Sequence, residues 1–116
     1  MEEECLFCSI IKGEVPGDVF MESPNFVIVK DVDQRIKGHS MVMPKKHVEN
    51  FMELEKDFYE EFLELARAGA EFLSDEEGSM GFNLITNNGE IAGQVVPHLH
   101  LHILPRKEGD GLKVLE

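Results

Sequence analysis

At 116 residues the chain is one domain, read as 1–116, long enough for a single core but not for two. Its net charge of −12 sets up a field that repels nucleic acid and anionic membranes, although a local pocket can still admit a small nucleotide. No run approaches the roughly 20 apolar residues that cross a bilayer, and the acidic opening Met1-Glu2-Glu3-Glu4 lacks the basic and apolar regions of a secretory signal, so a cytoplasmic protein is expected.

Cys5 to Lys12 reads as a short helix, stopped by Gly13 with Pro16-Gly17 beyond. The spacing Cys5-x-x-Cys8 in a reducing compartment indicates metal or redox chemistry rather than a structural disulfide. Val19 to Met21 is a short strand, Ser23-Pro24-Asn25 a turn, and Phe26 to Val29 a β-branched strand. Asp31 to Gly38 is a polar loop and His39 to Pro44 the next strand. Glu55 to Leu73 is the one long helix. Phe58, Phe62, Leu65, Gly69 and Phe72 form its apolar stripe, and Glu60, Glu61, Glu64, Arg67 and Glu71 a solvated face. Gly81 to Thr86 is a strand, Asn87 to Gly93 a glycine-containing loop, and Val96 to Leu104 a final strand. Strands with one principal helix between them predict an α+β fold on an antiparallel sheet.

That final strand carries His98-Leu99-His100-Leu101-His102. Strict alternation sets three imidazoles on one face, with Leu99, Leu101 and Ile103 anchoring the other. At the usual rise the three same-side positions span about 13 Å, so they do not readily converge on one ion. Nucleophilic and acid–base chemistry is the stronger reading, because a neutral imidazole attacks phosphorus and its neighbours can fix its tautomer or move protons. The loop feeding the strand offers Asn87 and Gln94 as neutral amide donors to phosphoryl oxygens.

The stretch from Gly93 to Leu104, with its His-φ-His-φ-His-φ-φ core (φ apolar), resembles the signature of the histidine triad (HIT) family. Cys5 to Pro16 and Gly38 to His47 resemble the N-terminus and central strand of its nucleotide-binding branch, called Hint, so the likeness spans nearly the whole chain. The resemblance implies a HIT-like α+β fold with one long and one short helix, a homodimer with the sheet extended across its interface, and a purine-nucleotide (AMP-type) substrate. It implies that His100 attacks the α-phosphorus to form a nucleotidyl-imidazole that water hydrolyses. His102 would contact phosphoryl oxygens and His98 would support the geometry. Asn87 and Gln94 would bind phosphate, Asp31 the ribose hydroxyls, and Phe7, Ile10, Val29 and Val32 the base, with His39 near the leaving group.

Nucleoside 5′-phosphoramidate hydrolysis is the first expectation. Dinucleoside polyphosphate hydrolysis and non-catalytic nucleotide binding are the alternatives. Val95 departs from the pattern, because many Hint proteins carry there a Ser or Thr associated with leaving-group handling. Some members of the family hold a structural zinc through two N-terminal cysteines, a histidine after the central strand and the first triad histidine; the matching residues are Cys5, Cys8, His47 and His98.

Overall fold

The computed structural model describes residues 5–115, so the acidic stretch Met1–Glu4 and the last residue of the expected domain lie outside it. The elements run α1 (Leu6–Ile11), β1 (Asp18–Glu22), β2 (Phe26–Lys30), β3 (Ser40–Pro44), α2 (Tyr59–Glu77), β4 (Gly81–Ile85) and β5 (Leu101–Arg106). The strands form one antiparallel sheet in the order β1-β2-β3-β5-β4. No helix among the described residues is long and apolar enough to cross a membrane.

Alternation within the central strands divides the core into two layers. Phe26 and Ile28 of β2, Val42 of β3, and Leu101 and Ile103 of β5 face α2. Val27 and Val29 of β2 and Met41 and Met43 of β3 point the other way, onto Cys5, Phe7 and Cys8 around α1. Both sheet faces are therefore covered there, which is why β2 and β3 read as unbroken apolar runs.

The long helix starts later than predicted. Lys56–Phe58 is a separate 3₁₀ turn, and α2 runs on to Glu77 before Gly78 closes it in the left-handed conformation (φ 63°). Its buried stripe is Phe62, Leu65, Ala66, Gly69, Ala70 and Leu73. Phe72, expected in that stripe, instead lies at its exposed margin and stacks on Phe20 at 5.6 Å. At Gly69 the helix approaches the sheet too closely for a side chain, since a Cβ there would fall 2.4 Å from Cδ1 of Ile28.

Glu61 is not merely solvated. Its carboxylate accepts from Ser23 Oγ, Asn25 N (2.7 Å) and Asn25 Nδ2 (2.9 Å), pinning the β1–β2 turn to α2. Slight burial pushes its pKa up, but the hydrogen bonds from Asn25 and Ser23 outweigh this and hold it below the usual value. A depressed carboxylate stabilises the fold above the ordinary carboxylate range and loses that contribution as pH falls through the native value. Glu61→Ala is therefore expected to cost about 1 kcal/mol at neutral pH, given its exposure, and less in acid. Urea unfolding at pH 7 and near pH 3 measures the gap; an equal gap at both contradicts the assignment.

The predicted histidine strand is shorter than expected. β5 begins at Leu101, so His98 and His100 precede it. The β3–β5 register, Ser40↔Ile103 through Val42↔Leu101, continues to place Pro44 opposite Leu99. Proline has no N–H for the ladder. Leu99 N instead donates to Val48 O (2.8 Å). The apolar side of the prediction holds, with Leu99, Leu101 and Ile103 all buried in the α2 layer.

Candidate active site and metal centre

The end of the ladder divides the three imidazoles between two groups. His98 is fully buried. Its Nε2 lies 2.9 Å from Pro44 O, a group that only accepts, so the proton sits on Nε2 and the Nδ1 lone pair is left for other use. Nδ1 stands 3.3 Å from Cys5 Sγ and 3.6 Å from Cys8 Sγ, and His47 Nδ1 stands 3.3 Å from Cys8 Sγ. Cys5 also caps α1 by accepting from Cys8 N.

The donor atoms of Cys5, Cys8, His47 and His98 all lie within 4.8 Å of one another. A tetrahedral ion with metal–sulfur near 2.3 Å and metal–nitrogen near 2.0–2.1 Å sets S and N about 3.5 Å apart. The observed separations bracket that value. A carbonyl holding the second nitrogen of a ligating histidine is the support such a site requires. These four residues can hold a metal ion.

His100 is buried at 6 % exposure, with Phe7 edge-on at 4.9 Å and His102 edge-on at 4.9 Å. Its Nδ1 lies 2.7 Å from His98 O, which fixes the proton on Nδ1 and leaves Nε2 as a lone pair. Burial lowers the pKa of His100, and burial together with the neighbouring His100 and His39 lowers His102 to about 4. Both rings are neutral at pH 7.

His39 precedes β3, on the face of Met41, and its Nε2 reaches His102 Nδ1 at 2.8 Å and Asp31 Oδ2 at 3.5 Å. His39 Nδ1 is buried with no partner among the described residues. An orphaned N–H costs more than an orphaned lone pair, so the proton belongs on Nε2 and is donated to His102. His102 then carries its own proton on Nε2. Asp31, His39 and His102 also lie within 4.8 Å of one another. A cation on His39 Nε2 would force the proton onto that orphaned Nδ1, so this second group suits proton handling better than metal binding.

The remaining predicted residues divide. Phe7 and Val29 lie in the α1 layer, with Ile10 partly buried against it. Val32 is 96 % exposed and makes no common wall with them. Asn87 is half-buried at the loop, its carboxamide 4.0 Å from where a Cβ on Gly93 would stand. Gln94, expected to present its amide to phosphate, does not as placed. Its Oε1 accepts from Gly89 N (2.7 Å), and its Nε2 donates to Glu49 O (2.7 Å) and Val96 O (3.1 Å). Both of its N–H bonds are already engaged. Arg106 is committed to the C-terminal tail, bonding the Asp110 carboxylate, Asn83 Oδ1 and Leu112 O. Sequence reading missed Glu49, Pro44 and the His98 carbonyl, since backbone acceptors carry no residue-type signal.

Residues 12–109 match the family model described as HIT domain. The chain is 44 % identical over 107 residues to a HIT-like protein of Methanocaldococcus jannaschii, covering 92 % of this chain and 82 % of that one. It is 33 % identical over 115 residues to an adenosine 5′-monophosphoramidase of Candida albicans, covering 95 % and 76 %. A solved HIT-family structure from Bacillus subtilis superposes with a TM-score of 0.92 at 37 % identity, covering 98 % of this chain and 82 % of that one. With the paired cysteines, the spaced histidines and the five-stranded antiparallel sheet all in agreement, the chain belongs to the HIT family.

Proposed function

We propose that the protein is a purine-nucleotide hydrolase that cleaves at the α-phosphorus through a covalent nucleotidyl-His100 intermediate. The observation that carries this reading is the His100 Nδ1 contact to His98 O, which presents a neutral Nε2 lone pair as nucleophile. Nε2 attacks phosphorus, the bond to the leaving group breaks, and the leaving group gains a proton. Water then attacks the phosphorus and breaks the phosphorus–nitrogen bond, releasing a nucleoside monophosphate, restoring His100 and giving up a proton that balances the one the leaving group gained. His102, with its proton on Nε2, supplies a donor to the phosphoryl oxygens, and His39 and Asp31 hold that tautomer. Asn87 faces the phosphate, and Asp31 reaches the ribose hydroxyls. The related phosphoramidase supports nucleoside 5′-phosphoramidates as substrates.

One observation favours the second substrate class. Val95 is 88 % exposed and brings no hydroxyl to protonate a departing amine. A polyphosphate leaves as a stable anion and needs less such help. AMP release from adenosine 5′-phosphoramidate and from diadenosine tetraphosphate, measured side by side, ranks the two. Inertness toward both, with AMP still bound, would make the site a recognition site instead.

We further infer that the four-ligand site holds structural zinc, matching two thiolates and two imidazoles, and that the single domain works in the cytoplasm. Zinc would fix α1 to the histidine segment and take no part in the reaction. A homodimer is also proposed. β4 lies at the sheet edge with Phe82 and Leu84 exposed, and pairing with a second β4 would cover both. A monomeric mass by sedimentation at working concentration would contradict it.

The lowered histidine pKa values fix a pH profile. Protonating His100 removes the attacking lone pair. Its acid limb should therefore fall below the ordinary histidine value of 6.5 in kcat/KM. A limb centred above 6.5, in excess zinc, would contradict the neutral pair.

A further inference from the structure

The loop Gly89–Gly93 has almost nothing of its own to hold it in place. Glu90, Ile91, Ala92 and Gly93 are exposed, and the backbone bonds within it only fold the loop on itself: Ala92 N and Gln94 N to Gly89 O, and Gly93 N to Glu90 O. Among the described residues, its anchorage to the body runs through two flanking amides. Asn88 Oδ1 accepts from Phe51 N (2.7 Å). Gln94, only 8 % exposed, grips Gly89 N with its oxygen and Glu49 O with its nitrogen.

Both anchors land on the segment 47–51, whose Val48 O also accepts from Leu99 N, between His98 and His100. That same segment begins with His47. His47 is half-buried, meets Cys8 Sγ at 3.3 Å and stands edge-on to His98 at 5.0 Å. One end of a five-residue strut therefore sits in the four-ligand cluster, and its middle holds the loop through Gln94.

We propose that Gln94 is a positioning residue that couples occupancy of the Cys5–Cys8–His47–His98 site to the order of the Gly89–Gly93 loop, and through it to nucleotide affinity. The proposal rests on the zinc and nucleotide readings given above. An ion bound to His47 and His98 fixes the strut against the histidine segment. Gln94 carries that constraint to Gly89 through two short hydrogen bonds. Without an ion, His47 has weaker reason to stay in place and the strut can drift with its loop. Such coupling is reciprocal, so zinc must tighten AMP binding by the factor by which AMP tightens zinc.

The test is a linkage cycle. It uses zinc and AMP at a temperature where circular dichroism shows the stripped protein folded. In wild type, zinc loading is expected to tighten AMP about tenfold, within the usual range of coupling between sites. AMP should tighten zinc equally, read by competition with a chromophoric chelator. In Gln94→Ala both factors should fall towards one while zinc still binds. Gln94→Glu keeps an acceptor for Gly89 N but loses the donors to Glu49 O, so it should fail in the same way.

An independent readout needs no nucleotide. The Gly89 amide resonance should shift on zinc loading in wild type and stay put in Gln94→Ala. Equal AMP affinity with and without zinc, or full coupling surviving in Gln94→Ala, overturns the proposal, as does a chain that takes up no zinc. If AMP binds neither form, the nucleotide reading fails, and the Gly89 signal still decides whether Gln94 links metal to loop.

Discussion

His100→Ala is expected to cut AMP release by about 10⁴-fold or more, the scale of losing a nucleophile, while AMP affinity stays close to wild type. The two effects separate because, in the proposed reaction, His100 meets the substrate only through Nε2. Phe7, Asp31 and Asn87, the proposed nucleotide contacts, are unchanged in the variant. A histidine that merely packed against Phe7 would give the opposite pattern, a small loss of turnover with a loss of stability. Steady-state kinetics with AMP titration on the folded variant distinguishes these outcomes. Residual turnover within about tenfold of wild type would rule out covalent catalysis at this position.

Stripping the metal, or replacing Cys8 with serine, is expected to lower Tm by about 10 °C or more, equivalent to roughly 2–3 kcal/mol. The size follows from how little else secures α1. The helix has six residues, well short of what is stable alone, and buries only Phe7 and Cys8. Its departure uncovers Val27, Val29, Met41 and Met43 on one face of the sheet. The α2 layer is separate and should persist, so the loss is partial rather than the collapse of a metal-dependent finger. Turnover should fall with it, since Phe7 buttresses His100 at 4.9 Å. Thermal melts with and without chelator, beside zinc stoichiometry, check the effect. Identical melts and no zinc in wild type would remove the metal from the account.

Most of the architecture was legible because residue-type patterns determine it. Alternation points to the leucine side of the histidine segment, and the resemblance to the HIT family points to the four-ligand cluster. What escaped depended on partners distant in sequence. Nothing local says that Pro44 stands across from Leu99 and ends the ladder, so the alternation alone extends the strand through His98. Glu61 looked like one more charge on a polar helix face until the β1–β2 turn closed onto it. Large residues dominate the periodicity of α2, which therefore favours Phe72 over the small Ala66 and Ala70 that face the sheet. Gln94 is the most instructive case. Its residue type suits a phosphate ligand as well as a clasp, and only the positions of Glu49 O and Val96 O decide between them.

The proton on His100 is set by a main-chain oxygen rather than by a side chain. Exchanging residue 98 for any other amino acid leaves a carbonyl in that place. The proposed metal ligand and the tautomer control thus occupy one residue but answer to different kinds of change. A descendant of this chain could lose the imidazole at 98, and with it the proposed ion, and still inherit the proton on His100 Nδ1. Inserting or deleting a single residue between 98 and 100 would do the reverse. For the chemistry at His100, heredity is written in the two-residue spacing and not in the letter at position 98.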